Sequence, residues 1–484
     1  MPRTRRLAPV LASVLAGAVL GSGLVTACQN DDEPDGTARS AAAPLAPTTS
    51  GGPEVAPSGP PGPGTGTAGP DAARSKWLGR RLRDIVDAQD FDGVVNAKTG
   101  QPPPAVPNVD VAVIELDDAG RPIAAANTLL SQDYPNGVVV PVTRDLVAPG
   151  VRWTHWSNSR WAAKRPAEPI LAGRGGAPLE FMAPYPASVF KLMVAFGVGR
   201  LHDRGGVGFD EVYDYRPRKA SCPEGAKPGT HRVSEWLDAM LTYSSNSATC
   251  ALLMMLHERD GVDPLNATLR SLGLTTLRVV DTDAADGGGW SFEGLTMTAL
   301  DTSRLLLLFS EAPGTLWSTP KGTPVTVGTL RRESRALIRR GLAEQGLNQA
   351  LSTANWCGRD YPARGIPQTV PGRWIDPRSG EVRVEKRTYG GDVRRCAADA
   401  EVEFAHKTGL VPSAGADAGI VTALPGRPPR RYVVSVFSNL GCTWVDFVGA
   451  YGGDCRYTQK LATLGAEIDA LMTKTAGRPT AELT

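Results

Sequence analysis

The sequence predicts an α+β fold, in which both ends of the folded region form one antiparallel sheet and an all-helical lobe is inserted between them. Strand patterns occur near the two ends of this region, whereas helical patterns fill its middle. The chain has 484 residues, of which 41% are hydrophobic. This content is ample for a sizeable core.

The first folded elements are a helix and two strands. Residues 75–89 carry an apolar stripe at helical spacing. Residues 109–116 alternate and are rich in β-branched side chains, and a second strand is expected at 122–126. Residues 128–180 hold Pro, Gly and three Trp without clear periodicity, which predicts an insertion or a long loop.

Helical patterns dominate the middle of the chain, and strands return near its end. Helices are predicted at 188–201, 234–255, 264–272, 298–310 and 331–346, with a final amphipathic helix at 458–472. Strands are predicted at 402–407, 419–423 and 432–438. Further insertions are expected at 205–230 and 357–396.

The N-terminus has the layout of an export signal. Residues 1–6 are positively charged, and residues 7–25 are apolar, as in secretory signals. The next residues end in Thr26-Ala27-Cys28, which resembles the lipobox of bacterial lipoproteins. An ordinary signal peptide or an uncleaved anchor is the alternative, and both the general secretory and the twin-arginine route stay open.

Four regions follow from this layout. They are a lipoprotein signal peptide at 1–28, a disordered Pro-, Gly- and Ala-rich tether at 29–74, one folded domain at 75–475 and a tail at 476–484. The tether composition cannot bury enough apolar surface to offset the entropy of ordering it. We expect a protein exported and held at the outer face of the cytoplasmic membrane by a lipid on Cys28.

Charge and cysteine content exclude other classes. The balance of 52 basic and 50 acidic residues lacks the basic excess typical of nucleic-acid binding. Besides Cys28, six cysteines remain, which suggests disulfides in an exported protein. Pairing neighbours along the chain gives Cys222–Cys250, Cys357–Cys396 and Cys442–Cys455. With five His and no Cys-x-x-Cys, we expect no metal, and we expect a monomer.

A lysine stands inside an apolar helical run. Ser188 begins this run, and Lys191 lies three residues later on the same helix face. Desolvation disfavours the charged form of a buried ammonium. Lys191 is therefore a candidate base for the Ser188 hydroxyl, although a Ser-x-x-Lys match alone is weak evidence.

Two further motifs follow along the chain. Ser244-Ser245-Asn246 interrupts an apolar helical pattern, where the alternative interpretation is a polar helix joint. Lys407-Thr408-Gly409 ends a predicted strand, and glycine there lets the backbone come close to a ligand.

In this order, the three motifs resemble those of the penicillin-recognising serine hydrolases, which include class A β-lactamases and D-alanyl-D-alanine peptidases. Residues 296–305 resemble the helix start after the omega loop of class A enzymes, and residues 417–421 resemble the strand after Lys-Thr-Gly. The resemblance covers most of 76–475. It implies a β-lactamase/transpeptidase-like fold for the catalytic domain, with no cofactor and with a β-lactam or a D-Ala-D-Ala-type peptide as the substrate.

The resemblance also implies roles for the first two motifs. Ser188 is expected to be the nucleophile that attacks the carbonyl, and Lys191 is expected to be its base. Ser244 is expected to pass a proton to the leaving nitrogen. Asn246 is expected to fix Lys191 and the substrate amide.

The third motif is expected to bind the substrate. Lys407 and Thr408 hold its carboxylate in this interpretation, and Gly409 belongs to the same substrate-binding stretch. The backbone amides of Ser188 and Leu410 are expected to form the oxyanion hole.

Two positions depart from class A β-lactamases. Residues 279–294 contain no Glu-x-x-x-Asn for deacylation, and Asp283 lies nearest the expected carboxylate position. Ser245 stands where class A enzymes usually have Asp. Three hypotheses remain: a β-lactamase-like serine hydrolase, a D-alanyl-D-alanine carboxypeptidase or transpeptidase, and a non-catalytic cell-envelope binding lipoprotein.

Overall fold

The structure is a computed structural model, and it describes residues 69–217, 222–223, 225, 227–357, 363–452 and 455–483. The predicted signal peptide with Cys28, and all but the last residues of the predicted tether, lie outside these ranges. The export and lipidation predictions therefore stay predictions. Within the described ranges, no helix is long and apolar enough to cross a membrane.

Six antiparallel strands form the main sheet. They are β1 (Val109–Leu116), β2 (Pro122–Ser131), β3 (Tyr134–Val140), β4 (Val402–Val411), β5 (Ala414–Ala423) and β6 (Arg431–Ser438). Their order across the sheet is β4-β5-β6-β1-β2-β3. The N-terminal and C-terminal strands meet where β1 pairs with β6, with Val113 opposite Val434. The predicted sheet from both ends of the folded region is confirmed.

Both faces of this sheet are buried. Side chains alternate between the two faces along each strand, and each face is covered by an apolar core. On β1, Val111 and Val113 face one apolar core, whereas Ala112 and Ile114 face the other. The first core lies under helices α1 (Ala72–Asp87) and α8 (Gln459–Thr475). The second core joins the sheet to the helical lobe.

The inserted lobe is helical, as predicted. Its main helices are α2 (Lys191–Asp203), α3 (Val233–Thr242), α4 (Asn246–Glu258), α5 (Val262–Ser271), α6 (Ala299–Leu307) and α7 (Arg332–Ala343). Helix α2 is apolar nearly all round and contacts α3, α4, α5 and α7. Helix α6 packs on β6 and β1, and α7 packs on β4. A fully surrounded α2 holds its first residues rigidly between the lobe and the sheet.

The remaining elements are short. Two-stranded pairs join Val95–Asn96 to Trp444–Val445, Val151–Thr154 to Leu179–Met182, Val212–Tyr215 to Gly229–Arg232, Arg278–Val279 to Leu295–Thr296, Trp317–Ser318 to Pro324–Val325, and Glu381–Val384 to Arg387–Asp392. Short α-helices cover Asn158–Ala162 and Arg394–Ala398, and 3₁₀ turns cover Phe91–Gly93, Ala187–Phe190, Val327–Thr329, Ala354–Trp356, Gly372–Trp374 and Thr480–Glu482.

Two predictions about secondary structure were wrong. The helix predicted at 234–255 is two helices, because Ser244 adopts a left-handed backbone with φ of 64° between α3 and α4. The insertion predicted at 128–180 begins later, since β2 extends to Ser131 and β3 adds a sixth strand. Strand β3 contains Pro135, which an edge strand tolerates.

The predicted disulfides are confirmed. Cys222 pairs with Cys250, Cys357 with Cys396, and Cys442 with Cys455, with Cα–Cα distances of 6.1, 6.2 and 5.0 Å. The first of these links the 205–230 insertion to helix α4. The Sγ atom of Cys222 lies 3.3 Å from the carbonyl oxygen of Asn246, so this disulfide braces the start of α4.

Candidate active site

The Ser188 turn stands at the entrance of helix α2. Ala187–Phe190 forms a 3₁₀ turn that continues directly into the helix, and Ala187 has a positive φ of 45°. The Lys191 amide donates to the Ser188 carbonyl, and residues three apart eclipse each other in a 3₁₀ turn. Ser188 is half-buried, whereas Lys191 is fully buried. The local geometry therefore puts both side chains on one side of the turn.

The break between α3 and α4 brings the second motif to Lys191. Ser245 caps α4, since its hydroxyl accepts a hydrogen bond from the Ala248 amide at 3.1 Å. The left-handed Ser244 and the first helical residue, Asn246, then both face Lys191. Lys191 Nζ donates to the Ser244 carbonyl at 2.7 Å, to Ser244 Oγ at 3.0 Å and to Asn246 Oδ1 at 2.8 Å.

Strand β4 brings the third motif to the same hydroxyl. Lys407 Nζ donates to Ser244 Oγ at 3.0 Å and to the Thr408 carbonyl at 2.7 Å. A serine hydroxyl has two acceptor lone pairs and one donor hydrogen. With both lone pairs used by Lys191 and Lys407, the Ser244 hydrogen is free to point toward a bound substrate.

Lys407 is fully buried on this strand. Its burial lowers the pKa of the ammonium from 10.5 to about 7, and the negative charge of Asp417 on the next strand partly opposes this shift. The site therefore contains a lysine that changes its charge near neutral pH.

Gly409 lets β4 lie directly against the Ser188 turn. A Cβ atom at this position would stand 2.7 Å from the Pro186 carbonyl oxygen, 2.8 Å from the Ser188 nitrogen and 3.0 Å from Ala187 Cβ. The backbones of β4 and the Ser188 turn are therefore in direct contact, with no room for a side chain at position 409. Leu410, whose amide is predicted to form the oxyanion hole with that of Ser188, is the next residue along β4.

The segment at 279–294 approaches the Ser188 turn through aromatic side chains. Trp290 Nε1 donates to the Tyr185 hydroxyl at 3.2 Å, and the Trp290 ring lies 4.8 Å from that of Phe190. Burial raises the pKa of Tyr185 to about 12. Phe292, which is 59% exposed, packs against Tyr185 with ring centroids 4.3 Å apart. An apolar wall thus flanks the turn on this side.

Asp283 lies on the surface of the same segment. Its side chain is exposed, and its Oδ1 accepts a hydrogen bond from the Ala285 amide at 2.8 Å. The neighbouring Thr282 hydroxyl is 2.8 Å from His257 Nε2 at the end of α4. Asp283 thus braces its own turn, and its predicted role in deacylation stays a prediction.

Sequence reasoning missed several residues around the site. Tyr185 and Trp290 were not singled out, although a tryptophan next to three consecutive glycines is an unusual signal. Tyr243, which precedes the Ser244 motif, was given no role; its ring packs edge-on against Trp374 of the 357–396 insertion, at 6.3 Å. This contact makes that insertion a support for the Ser244 loop. Among the residues that the structure describes, no three His, Cys, Asp or Glu side chains are grouped to hold a metal.

A family sequence model matches the central segment of the chain. Residues 183–346 match the sequence model of the β-lactamase enzyme family. This stretch contains the Ser188 and Ser244 motifs and helices α2 to α7. A search of curated proteins found no match.

Several solved structures are similar at low identity. PBP-A is 15% identical with a TM-score of 0.42, covering 82% of this chain and 97% of its own. A class A β-lactamase from Bacteroides cellulosilyticus is 13% identical with a TM-score of 0.39, covering 82% and 99%. A β-lactamase from Xanthomonas campestris pv. campestris is 14% identical with a TM-score of 0.40, covering 83% and 97%. The match of residues 183–346 to the model of the β-lactamase enzyme family confirms the predicted resemblance to the penicillin-recognising serine hydrolases.

Proposed function

We propose that this protein is a β-lactamase-like serine hydrolase that forms an acyl-enzyme on Ser188 with β-lactams or related amides. The observation that carries the proposal is the convergence of Lys191 and Lys407 on the Ser244 hydroxyl, each at 3.0 Å. Two buried lysines around one serine are costly for stability. Such an arrangement is typical of a proton-transfer site rather than of a packed core.

The first chemical step needs a base for the nucleophile. Ser188 Oγ attacks the substrate carbonyl carbon and gives its proton to Lys191 in its neutral form, which keeps only two of the three hydrogen bonds that the ammonium donates. The carbonyl oxygen becomes an oxyanion, which the amides of Ser188 and Leu410 stabilise. Each such donor lowers the barrier by roughly 2.7 to 4 kcal/mol in comparable hydrolases.

The second step needs an acid for the leaving nitrogen. When the tetrahedral intermediate collapses, the C–N bond breaks and Ser244 gives its proton to the nitrogen. Lys191, which already donates to Ser244 Oγ, returns the proton that it took from Ser188. Lys191 is then neutral again, Ser244 is protonated, and the acyl group stays on Ser188.

Substrate binding is assigned to β4. A positively charged Lys407 and the Thr408 hydroxyl bind the carboxylate that penicillins and D-Ala-D-Ala peptides carry. Gly409 keeps the strand close enough to the Ser188 turn for one substrate to reach both.

A second candidate function is a penicillin-binding protein of the D-alanyl-D-alanine carboxypeptidase or transpeptidase type. The exposed Asp283, with its carboxylate hydrogen-bonded to Ala285, favours this candidate because it leaves the acyl-enzyme without an obvious base for hydrolysis. The Trp290 wall beside the Ser188 turn points the same way, since aromatic rings cannot activate water.

One experiment separates the candidates. The soluble domain, residues 69–484, is mixed with a chromogenic cephalosporin and separately with a fluorescent penicillin, with Ser188→Ala as the control. Rapid turnover of the cephalosporin supports the β-lactamase-like function. A persistent fluorescent adduct without turnover supports the D,D-peptidase type, and no reaction with either compound argues for the non-catalytic binding lipoprotein.

We also propose that the protein is a lipoprotein exported through its N-terminal signal and anchored at the outer face of the cytoplasmic membrane through Cys28. The lipobox-like residues before Cys28 support this proposal. Metabolic labelling with a palmitate analogue tests it. Loss of the label in Cys28→Ser is expected, and retention of the label in that variant would contradict the anchor.

A further inference from the structure

A polar cavity lies at the end of strand β2, outside the proposed acylation site. Its volume is about 240 Å³, and its walls come from the β2–β3 turn, the Val151–Thr154 and Leu179–Met182 strands and the chain around the short helix Asn158–Ala162. Its lining includes three buried polar side chains and three exposed charged ones, which are Asn108, Ser131 and Thr154, and Asp133, Lys164 and Arg165. The cavity therefore has a buried polar interior and a charged mouth.

The interior of the cavity contains fixed hydrogen-bonding groups. Asn108 Nδ2 donates to the Met182 carbonyl at 2.8 Å, and Ser131 Oγ accepts from the Asp133 amide at 3.3 Å. Gln132 also lines the cavity; its Oε1 is shielded from solvent and accepts no hydrogen bond from the residues that the structure describes. A shielded acceptor without a partner is unfavourable. A half-turn of the Gln132 carboxamide offers this oxygen to a hydroxyl group bound in the cavity.

Charged groups of both signs line the cavity. Asp133 and Glu180 contribute carboxylates, whereas Lys164 and Arg165 contribute cations. Glu180 is held by Arg152 at 2.5 Å. A strongly charged ligand of either sign would meet a like charge in this lining. A neutral ligand with several hydroxyl groups can instead donate to the carboxylates and accept from the cations.

Part of the cavity wall is apolar. Trp161 and Phe181 line it, and the Trp161 ring lies 5.8 Å from that of Trp156 and 6.4 Å from that of Trp444. Small-molecule sites combine such apolar surface with a few convergent polar groups. A sugar ring has the matching chemistry, because its C–H face packs on aromatic carbons while its hydroxyl groups form hydrogen bonds.

The cavity and the Ser188 turn lie at the same end of the main sheet. One row of cross-strand partners joins their neighbourhoods: Leu410, Gly415, Ser438, Val109 and Leu130. Neighbouring strands are about 4.8 Å apart, so the four steps of this row place Leu130, next to Ser131, about 19 Å from Leu410. An extended peptide covers at most about 3.6 Å per residue. A glycan held in the cavity is therefore within reach of the Ser188 turn through an attached peptide of about six residues.

We propose that the cavity at the end of β2 binds a sugar ring of a glycan. The carboxylate of Asp133 and the carboxamide of Gln132 form hydrogen bonds with its hydroxyl groups, and Trp161 and Phe181 contact its C–H face. Sugar binding at this cavity does not depend on the acylation of Ser188.

Calorimetric titration of the full chain carrying Ser188→Ala tests for the sugar site without any acylation. The probes are the tetrasaccharides of β-1,4-linked N-acetylglucosamine and of β-1,4-linked glucose, with inorganic phosphate as a charged alternative. Saturable binding of at least one tetrasaccharide is expected. Binding of phosphate alone, or of none of the three, would overturn the proposal. If penicillin never acylates the wild-type chain, the proposed function fails, while these titrations still decide the sugar site.

Two variants locate the bound saccharide. Asp133→Ala removes an exposed carboxylate at the mouth and should raise the Kd about tenfold or more, and Gln132→Ala should raise it about threefold or more. Asp118→Ala is the matched control, because Asp118 is an exposed aspartate in the β1–β2 turn, at the opposite end of β2. An unchanged Kd in both cavity variants, or an equal loss of affinity in Asp118→Ala, would overturn the assignment of this cavity.

Discussion

Replacing Gly409 with alanine tests the close approach of β4 to the Ser188 turn. The added methyl group would stand 2.8 Å from the Ser188 nitrogen and 2.7 Å from the Pro186 carbonyl oxygen, whereas ordinary contacts begin at 3.4 Å. The strand must therefore retreat by about 0.6 Å, because both neighbours are backbone atoms that cannot rotate away. An oxyanion donor works at about 2.7 to 3.1 Å, so this retreat takes one donor out of range.

The expected result is a specific loss of acylation. Losing one oxyanion donor slows acylation about 10²- to 10³-fold, while overpacking costs about 1–3 kcal/mol of unfolding free energy. The assay is the second-order rate constant for labelling by a fluorescent penicillin, measured beside a urea unfolding curve. Gly175→Ala is the matched control, since no atom lies within 4 Å of a Cβ there. Wild-type labelling by Gly409→Ala would refute the oxyanion geometry.

Three further predictions follow from the site. Burial lowers the pKa of Lys407 to about 7, so the ammonium is lost as the pH rises. The rate of penicillin acylation should therefore fall about tenfold per pH unit above that value. A rate that stays constant up to about pH 9 would contradict this prediction. Lys191→Ala should slow acylation by about 10²-fold or more while the circular dichroism spectrum is unchanged, and wild-type labelling kinetics would refute its role as base. Replacing Cys222 and Cys250 together with serine should lower the unfolding free energy by about 3 kcal/mol and slow acylation, because their disulfide braces Asn246; unchanged urea unfolding would contradict this.

The motifs could be predicted from the sequence because each one is local. Ser188 and Lys191 are three residues apart in one helical turn, so their spacing predicted that they share a helix face. Lys407 and Gly409 are two residues apart on one strand, so their spacing predicted that they share a strand face. The strand at 109–116 was predicted from its alternation and its β-branched side chains. One continuous helix was predicted across Ser244, because apolar residues continue at helical spacing on both sides of it. Periodicity cannot reveal a single residue with a left-handed backbone.

Other parts of the site depend on contacts between distant residues. The contact of Tyr185 with Trp290 joins residues 105 positions apart, and no local pattern predicts it. Strand β3 was assigned to a loop because Pro135 and Gly137 weaken its pattern; it is stable because its neighbour β2 supplies the pairing.

Mass spectrometry of the acylated protein tests the central claim most directly. After brief exposure of the soluble domain to a penicillin, the intact mass should rise by the mass of one penicillin molecule, since the β-lactam ring opens without losing atoms. Peptide mapping should locate this group on Ser188, and Ser188→Ala should show no mass increase. An adduct on another residue, or the same increase in Ser188→Ala, would contradict the assignment of Ser188 as the nucleophile.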